Sequence, residues 1–261
     1  MIDWINNVSV VTAFGIVTLV FVTVCWLGIV AFRPVVKSLA ERQPGLNETV
    51  GDFLQYFGVI YGLLLGLLAV AAYQNLSEVE KTVGDEAAAL GALYRDVSAY
   101  PEPARSEVQA LIRDYTRYVI DETWPLQQEG IVPAGGVVKA ARMFERLSAF
   151  EPQSKSQEAL HQETLRQFNT FFHYRRERLH SVTFSIPPVL WYTVAIGALV
   201  NMFLMWLFDL RVGIHLLLGS VLSFFLATML TLILLLDQPF RGAVKVSPDA
   251  YELVYDQLMK D

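Results

Sequence analysis

In the uncharged stretch from Phe53 to Tyr73, Gln55, Val59 and Leu63 recur every four residues, and Val70 falls on the same phase. On a helix this spacing places them on one face. If several such helices surround an axis, rings of apolar side chains can gate an ion path by dewetting. One position earlier stand Gly58, Gly62 and Gly66, with Ala69 and Tyr73 continuing the stripe. Glycines four apart let helices approach closely, so this neighbouring face suits packing, inside one protomer or between subunits. The two roles are compatible if the glycines pack while the residues one position on face the axis.

Other chemistry finds little purchase. His161, His173, His180 and His215 include no pair at ligand spacing on one face, apart from His173 and His180 two turns apart. The single cysteine, Cys25, lies in an apolar run, which leaves neither a thiolate metal cluster nor a disulfide framework. There is no Gly-rich phosphate loop, no serine elbow and no zinc-protease helix motif. The sequence therefore reads as a non-enzyme without metal or cofactor. Asn201 and His215 interrupt apolar runs, where polar groups are functional candidates by default. His215, one turn into its helix, reads as an interfacial group, and so does Asp237 beside Pro239. Glu78, Glu80, Asp85 and Glu86 wrap around a helix, as a solvated face would.

The elements that position these residues are apolar and long. The chain is 54% hydrophobic and 18% charged, and long stretches carry no charge at all. Four runs are long enough to cross a ~30 Å hydrocarbon core: Val8 to Phe32, ended by Arg33-Pro34; Phe53 to Tyr73; Ile186 to Phe208; and Val212 to Leu236. Trp191, Tyr192 and Trp206 sit near span ends as interfacial aromatics. Asp3 and the lack of Lys or Arg before the first run argue against a cleaved signal. The expected organisation is a first transmembrane pair over 1–73, a helical soluble lobe over 74–185, a second pair over 186–236 and a tail over 237–261. The fold class expected is all-α, with no sheet.

No turn signal separates the second span from the lobe. Val79, Val83, Ala87, Leu90 and Tyr94 keep a three- and four-residue step, which predicts one long helix up to Pro101 and Pro103. Further helices are expected from Pro103 to Trp124-Pro125, over Val137 to Phe150, and over Ser154 to Ser185. Six basic residues near span ends on the lobe side (Lys81, Arg175, Arg176, Arg178, Arg241 and Lys245) face four on the other (Arg33, Lys37, Arg42 and Arg211). The positive-inside rule then favours a cytoplasmic lobe and cytoplasmic termini. Arg175, Arg176 and Arg178 form the strongest basic cluster, suited to drawing anions toward a pore mouth or to holding anionic lipid heads. A net charge of −6 with no basic stripe argues against nucleic acid as a partner.

Four stretches carry more than composition: YGLLLGLLAVAAYQNLSEVEKTVGDEAAALGALY (Tyr61 to Tyr94), RDYTRYVIDETWP (Arg113 to Pro125), PPVLW (Pro187 to Trp191) and LLLDQPFRGAVKVSPDAYE (Leu234 to Glu252). In this order they closely resemble the bacterial bestrophin-like domain family, which is distantly similar to bestrophins. The resemblance implies four spans with a helical lobe, and kinship to pentameric anion channels. It also places Gln55, Val59 and Leu63 at the apolar neck of the pore and Tyr73-Gln74-Asn75 at its exit, with Gln55 where a bestrophin neck has an aromatic. Bestrophins carry an Asn-Pro-Phe-Gly turn before an acidic calcium clasp. This chain has Gln238-Pro239-Phe240-Arg241-Gly242 followed only by Asp249 and Glu252, so no calcium clasp is expected. The resulting expectation is a homo-oligomeric channel, with a pentamer favoured, for small inorganic ions in a bacterial inner membrane. The competing expectation is a non-conducting membrane scaffold or sensor whose lobe binds a partner.

Overall fold

The computed structural model describes residues 8–260. Asp3 and the other residues behind the uncleaved N-terminus expectation lie outside them. Two compact units are present: a membrane unit of the residues up to Gln74 with Ser185–Asp237, and a lobe of Asn75–Phe184 with the residues from Gln238 on. All regular elements among the described residues are helical. Among the described residues four helices are long and apolar enough to cross a membrane: α1 (Val10–Arg42), α2 (Leu46–Val97), α7 (Pro188–Trp206) and α8 (Val212–Leu236).

In the membrane unit, Ser9 caps α1 by accepting the Thr12 amide at 3.2 Å. Contrary to expectation, Arg33-Pro34 does not end this helix, which continues through Pro34 to Arg42. Proline forfeits one intrahelical bond, a loss that membrane helices tolerate when neighbouring groups re-satisfy the backbone. The polar link thus shrinks to Gln43–Gly45, with Gly45 at φ 90° in the left-handed region that favours glycine. The second helix starts at Leu46 rather than Phe53. Tyr61, Leu65 and Leu68 of α2, Val194, Ala198 and Met202 of α7, and Leu226, Leu230 and Ile233 of α8 form the main core. Cys25 and Ile29 of α1 meet Met205 in a second cluster. Asn47 ties the start of α2 to the turn before α8: its Nδ2 donates to the Asp209 carbonyl at 2.9 Å, and its Oδ1 accepts the Asp209 amide at 2.8 Å.

Helix α2 runs unbroken to Val97, as the apolar step predicted. The helix expected from Pro103 is divided in three. Helix α3 (Ala104–Tyr118) leads into a π-helical turn over Val119–Thr123, then α4 (Trp124–Gln128). Pro125 has no amide to donate, and the widened turn lets the Trp124 N–H reach the Val119 carbonyl. Helices α5 (Gly135–Ser148) and α6 (Lys155–Ser181) follow. The tail holds elements the sequence did not announce, α9 (Asp249–Val254) and a π-helical turn over Tyr255–Met259. Burial explains them: Tyr251, Phe240 and Met259 are all sequestered in the lobe. The lobe half of α2 admits this segment at Gly91, where a Cβ would come within 3.2 Å of Val254 and Leu258.

Candidate functional site

The orientation of α2 in the membrane unit is fixed by Tyr61. Its hydroxyl donates to the Val194 carbonyl at 2.9 Å, and its ring occupies the place of a side chain at Gly197 of α7. With Tyr61, Leu65, Leu68 and Ala72 turned inward, the opposite face is left unpartnered among the described residues. Val59 is 68% exposed, Leu63 65% and Val70 53%, and Gln55 and Gln74 are exposed on the same side. Asn75, one position beyond Gln74, is partly buried.

The glycine stripe lies beside that face. A Cβ at Gly62 or Gly66 would meet nothing within 4 Å, and one at Gly58 only Asn201 Oδ1 at 3.9 Å. No close helix approach inside the protomer requires these three. The glycines that do require one were not singled out in the sequence. Trp206 fills the side-chain position of Gly28, Tyr61 that of Gly197, and at Gly219 a Cβ would sit 2.9 Å from Cys25 Sγ and from Ile29 Cδ1. None of the three belongs to a spacing motif, so no sequence signal pointed to them.

The polar groups in the spans are locally satisfied. Asn201 is buried and its Nδ2 donates to the Gly197 carbonyl one turn back, at 2.8 Å. His215, in the first turn of α8, is buried, and its Nε2 lies 2.8 Å from the Met205 carbonyl. Asp237 Oδ1 accepts the Ile186 amide at 2.6 Å, joining the end of α8 to the start of α7.

The basic cluster ahead of α7 divides. Arg176 is exposed, but Arg175 is 5% and Arg178 1% exposed. Arg178 forms a two-pronged ion pair with Glu86 of α2: Nε donates to Oε2 at 2.6 Å and Nη2 to Oε1 at 3.1 Å. Its Nη1 donates to Gln127 Oε1 at 2.8 Å, and the Trp124 and Tyr251 rings each lie 5.7 Å from the guanidinium. Tyr115 donates its hydroxyl to Glu86 Oε1 at 3.3 Å. Glu86 is thus not part of a solvated face, and Arg178 spends its charge inside the lobe, not at a surface. Burial works to lower the Arg178 pKa, but the adjoining carboxylate outweighs it and holds the group well above its ordinary value. Burial first, and then the Glu86 charge, push the Tyr115 phenol up. The phase of the sequence contained this centre. Glu86 continues Val79 and Val83 toward Leu90, and Arg175 and Arg178 continue Phe168 and Phe171 toward Val182. Among the described residues no group of three His, Cys, Asp or Glu side chains could hold a metal ion.

The profile of the bestrophin-like domain matches residues 19–251. The chain belongs to the bestrophin-like family. Crystal structures of a bacterial bestrophin homologue from Klebsiella pneumoniae share its fold. One variant superposes with a TM-score of 0.68 at 12% identity, covering 95% of this chain and 99% of that one. A second variant gives 0.67 at 11% identity over 93% and 97%. The structure phased on zinc gives 0.66 at 12% identity over 93% and 99%. At such identity the likeness establishes the fold. A comparison with curated proteins gave no match. In this bestrophin-like chain the exposed face of α2 and the buried charge centre of the lobe stand on one helix.

Proposed function

We propose that the chain is the protomer of a symmetric ring, with a pentamer favoured, whose second helices surround a passive ion path. Gln55, Val59, Leu63 and Val70 line that path, with Leu63 and Val59 as the apolar constriction and Gln74, Asn75 and Arg176 near its mouth. The observation that carries this reading is the apolar face of α2 left without a partner in a chain of bestrophin-like fold. Gly58, Gly62 and Gly66, open within the protomer, then meet a neighbouring copy. Small inorganic ions, anions in preference, pass through a constriction whose width sets the barrier to hydration. The ring sits in the bacterial inner membrane with the lobe and termini in the cytoplasm, and its activity is transport rather than catalysis.

The test is current through planar bilayers containing purified protein, paired with the mass of the oligomer in detergent. Leu63→Ala widens the constriction and is expected to raise conductance while leaving thermal stability unchanged, because Leu63 touches little of its own chain. A stable monomer, or well-folded rings that pass no current with either leucine or alanine at 63, would favour a scaffold whose lobe binds a partner.

A further inference from the structure

Arg175 and Arg178 enter the lobe interior on the same face of α6, but the carboxylate of Glu86 pairs only with Arg178. Each oxygen of Glu86 already accepts from Arg178, and Oε1 also accepts from Tyr115. Among the described residues no carboxylate lies within ion-pair reach of Arg175, and its Nε has no hydrogen-bond partner although the residue is only 5% exposed. The Tyr115 hydroxyl is hydrogen-bonded to the Arg175 side chain but brings no charge, and the Phe172 ring, 5.8 Å from the guanidinium, offers only its face. A buried cation left in this state carries a large desolvation cost that a counter-charge would remove.

The guanidinium lies against the first turn of α5. A Cβ on Gly136 would stand 3.1 Å from Arg175 Nη2 and 3.9 Å from Nε, so glycine is what admits it. That helix start is uncapped: Ala134 at the N-cap has no side-chain acceptor, and the first turn holds no acidic residue. The Gly135 and Gly136 amides have no carbonyl one turn back to reach, and the helix dipole is positive here. The Tyr118 hydroxyl adjoins Gly135. Lys139 and Asp114, 2.5 Å apart on the neighbouring surface, neutralise one another. A buried guanidinium fork and an open helix N-terminus therefore converge where none of the described residues supplies an anion.

We propose that Arg175 and the first turn of α5 bind a small soluble oxyanion, a phosphate or carboxylate group. The planar fork suits two oxygens, and backbone amides suit a third. This site belongs to the lobe, whereas the α2 face assigned to ion passage belongs to the membrane unit, and the inference does not depend on conduction.

Thermal melts of the full-length protein in detergent test it, comparing sodium phosphate and sodium acetate with sodium chloride at equal ionic strength. Phosphate or acetate should raise Tm by about 3 °C or more over chloride at saturation. Arg175→Gln should abolish the increment. Because that variant can lose the fold, the decisive one is Ala134→Asp, at an exposed N-cap. Its tethered carboxylate should raise the melt in chloride and leave nothing for phosphate or acetate to add. No increment in the wild type, or one that persists in Ala134→Asp, would overturn the proposal. So would a rise seen only with phosphatidylglycerol vesicles, which would make the ligand a lipid headgroup.

Discussion

Between Leu46 and Gln74, helix α2 buries Tyr61, Leu65, Leu68 and Ala72 and turns Val59, Leu63, Leu67 and Val70 outward. Between Asn75 and Val97 it buries Val79, Val83, Leu90 and Val97 at the same three- and four-residue step, but turns Glu78, Glu80 and Lys81 outward. The inner stripe is continuous across a change of surroundings, and only the outer face records that change. The energetics differ accordingly. In the lobe half, burial removes apolar surface from water. In the membrane half the alternative to burial is lipid, as apolar as leucine, so packing and hydrogen bonds carry the stability. The lobe half can therefore hold a buried ion pair, Glu86 with Arg178, within a strongly driven core.

That contrast can be broken most severely at the ion pair. Glu86→Leu strands the Arg178 cation and is expected to cost about 3–5 kcal/mol, read as a collapse of Tm or of protease resistance. Pairing it with Arg178→Leu should restore most of the loss, and a tolerated single mutant would contradict the buried geometry. Next come two leucines, both without exposure. Leu90→Ala should cost about 2–5 kcal/mol in the lobe, and Leu65→Ala on the order of 1–2 kcal/mol in the spans. Equal losses would erase the distinction between the two halves. Tyr61→Phe, which removes the bond to the Val194 carbonyl, should cost about 0.6 kcal/mol in unfolding from detergent or bicelles.

A smaller effect follows pH at the lobe end of the helix. Tyr100 is stacked on Phe150 and its hydroxyl lies 2.6 Å from His161 Nδ1, and burial holds His161 below its ordinary 6.5. The folded protein then binds fewer protons at this site than the unfolded one. Stability is full above pH 6.5 and declines as pH falls through 6.5 toward the folded-state value. His161→Gln should flatten that part of the profile in a pH series of melts. Smallest of all is Arg166→Ala on the exposed pair with Glu163, where no change in Tm is expected at moderate salt.

Much of this architecture was legible from spacing alone. The limits of α8 coincide with the uncharged run Val212 to Leu236, and α2 continues where the apolar step predicted. Proline misled at position 34, since a local steric rule yields when a long apolar helix supplies enough other bonds. The tail over Asp249 to Met259 was missed because its helical turns are too short to show a period, and burial of Tyr251 holds them in place. Charge misled at Glu86 and Arg178, since residue type outweighed the phase that placed both in the core. The α2 face with Gln55, Val59 and Leu63 could be named from its spacing, but its lack of a partner inside the chain became visible only once Tyr61 was seen seated against Gly197.

The seats of the two aromatic rings have a consequence for descent. Gly28 and Gly197 leave no space for a methyl group, since Trp206 and Tyr61 already fill it. Across related chains these two positions should therefore change only together with the ring they face, as compensated pairs. Gly62 and Gly66 have no such debt within the protomer. If lineages keep them as glycine nonetheless, the selective pressure comes from outside the single chain, and the sequences of its relatives would record a neighbour that one copy alone does not display.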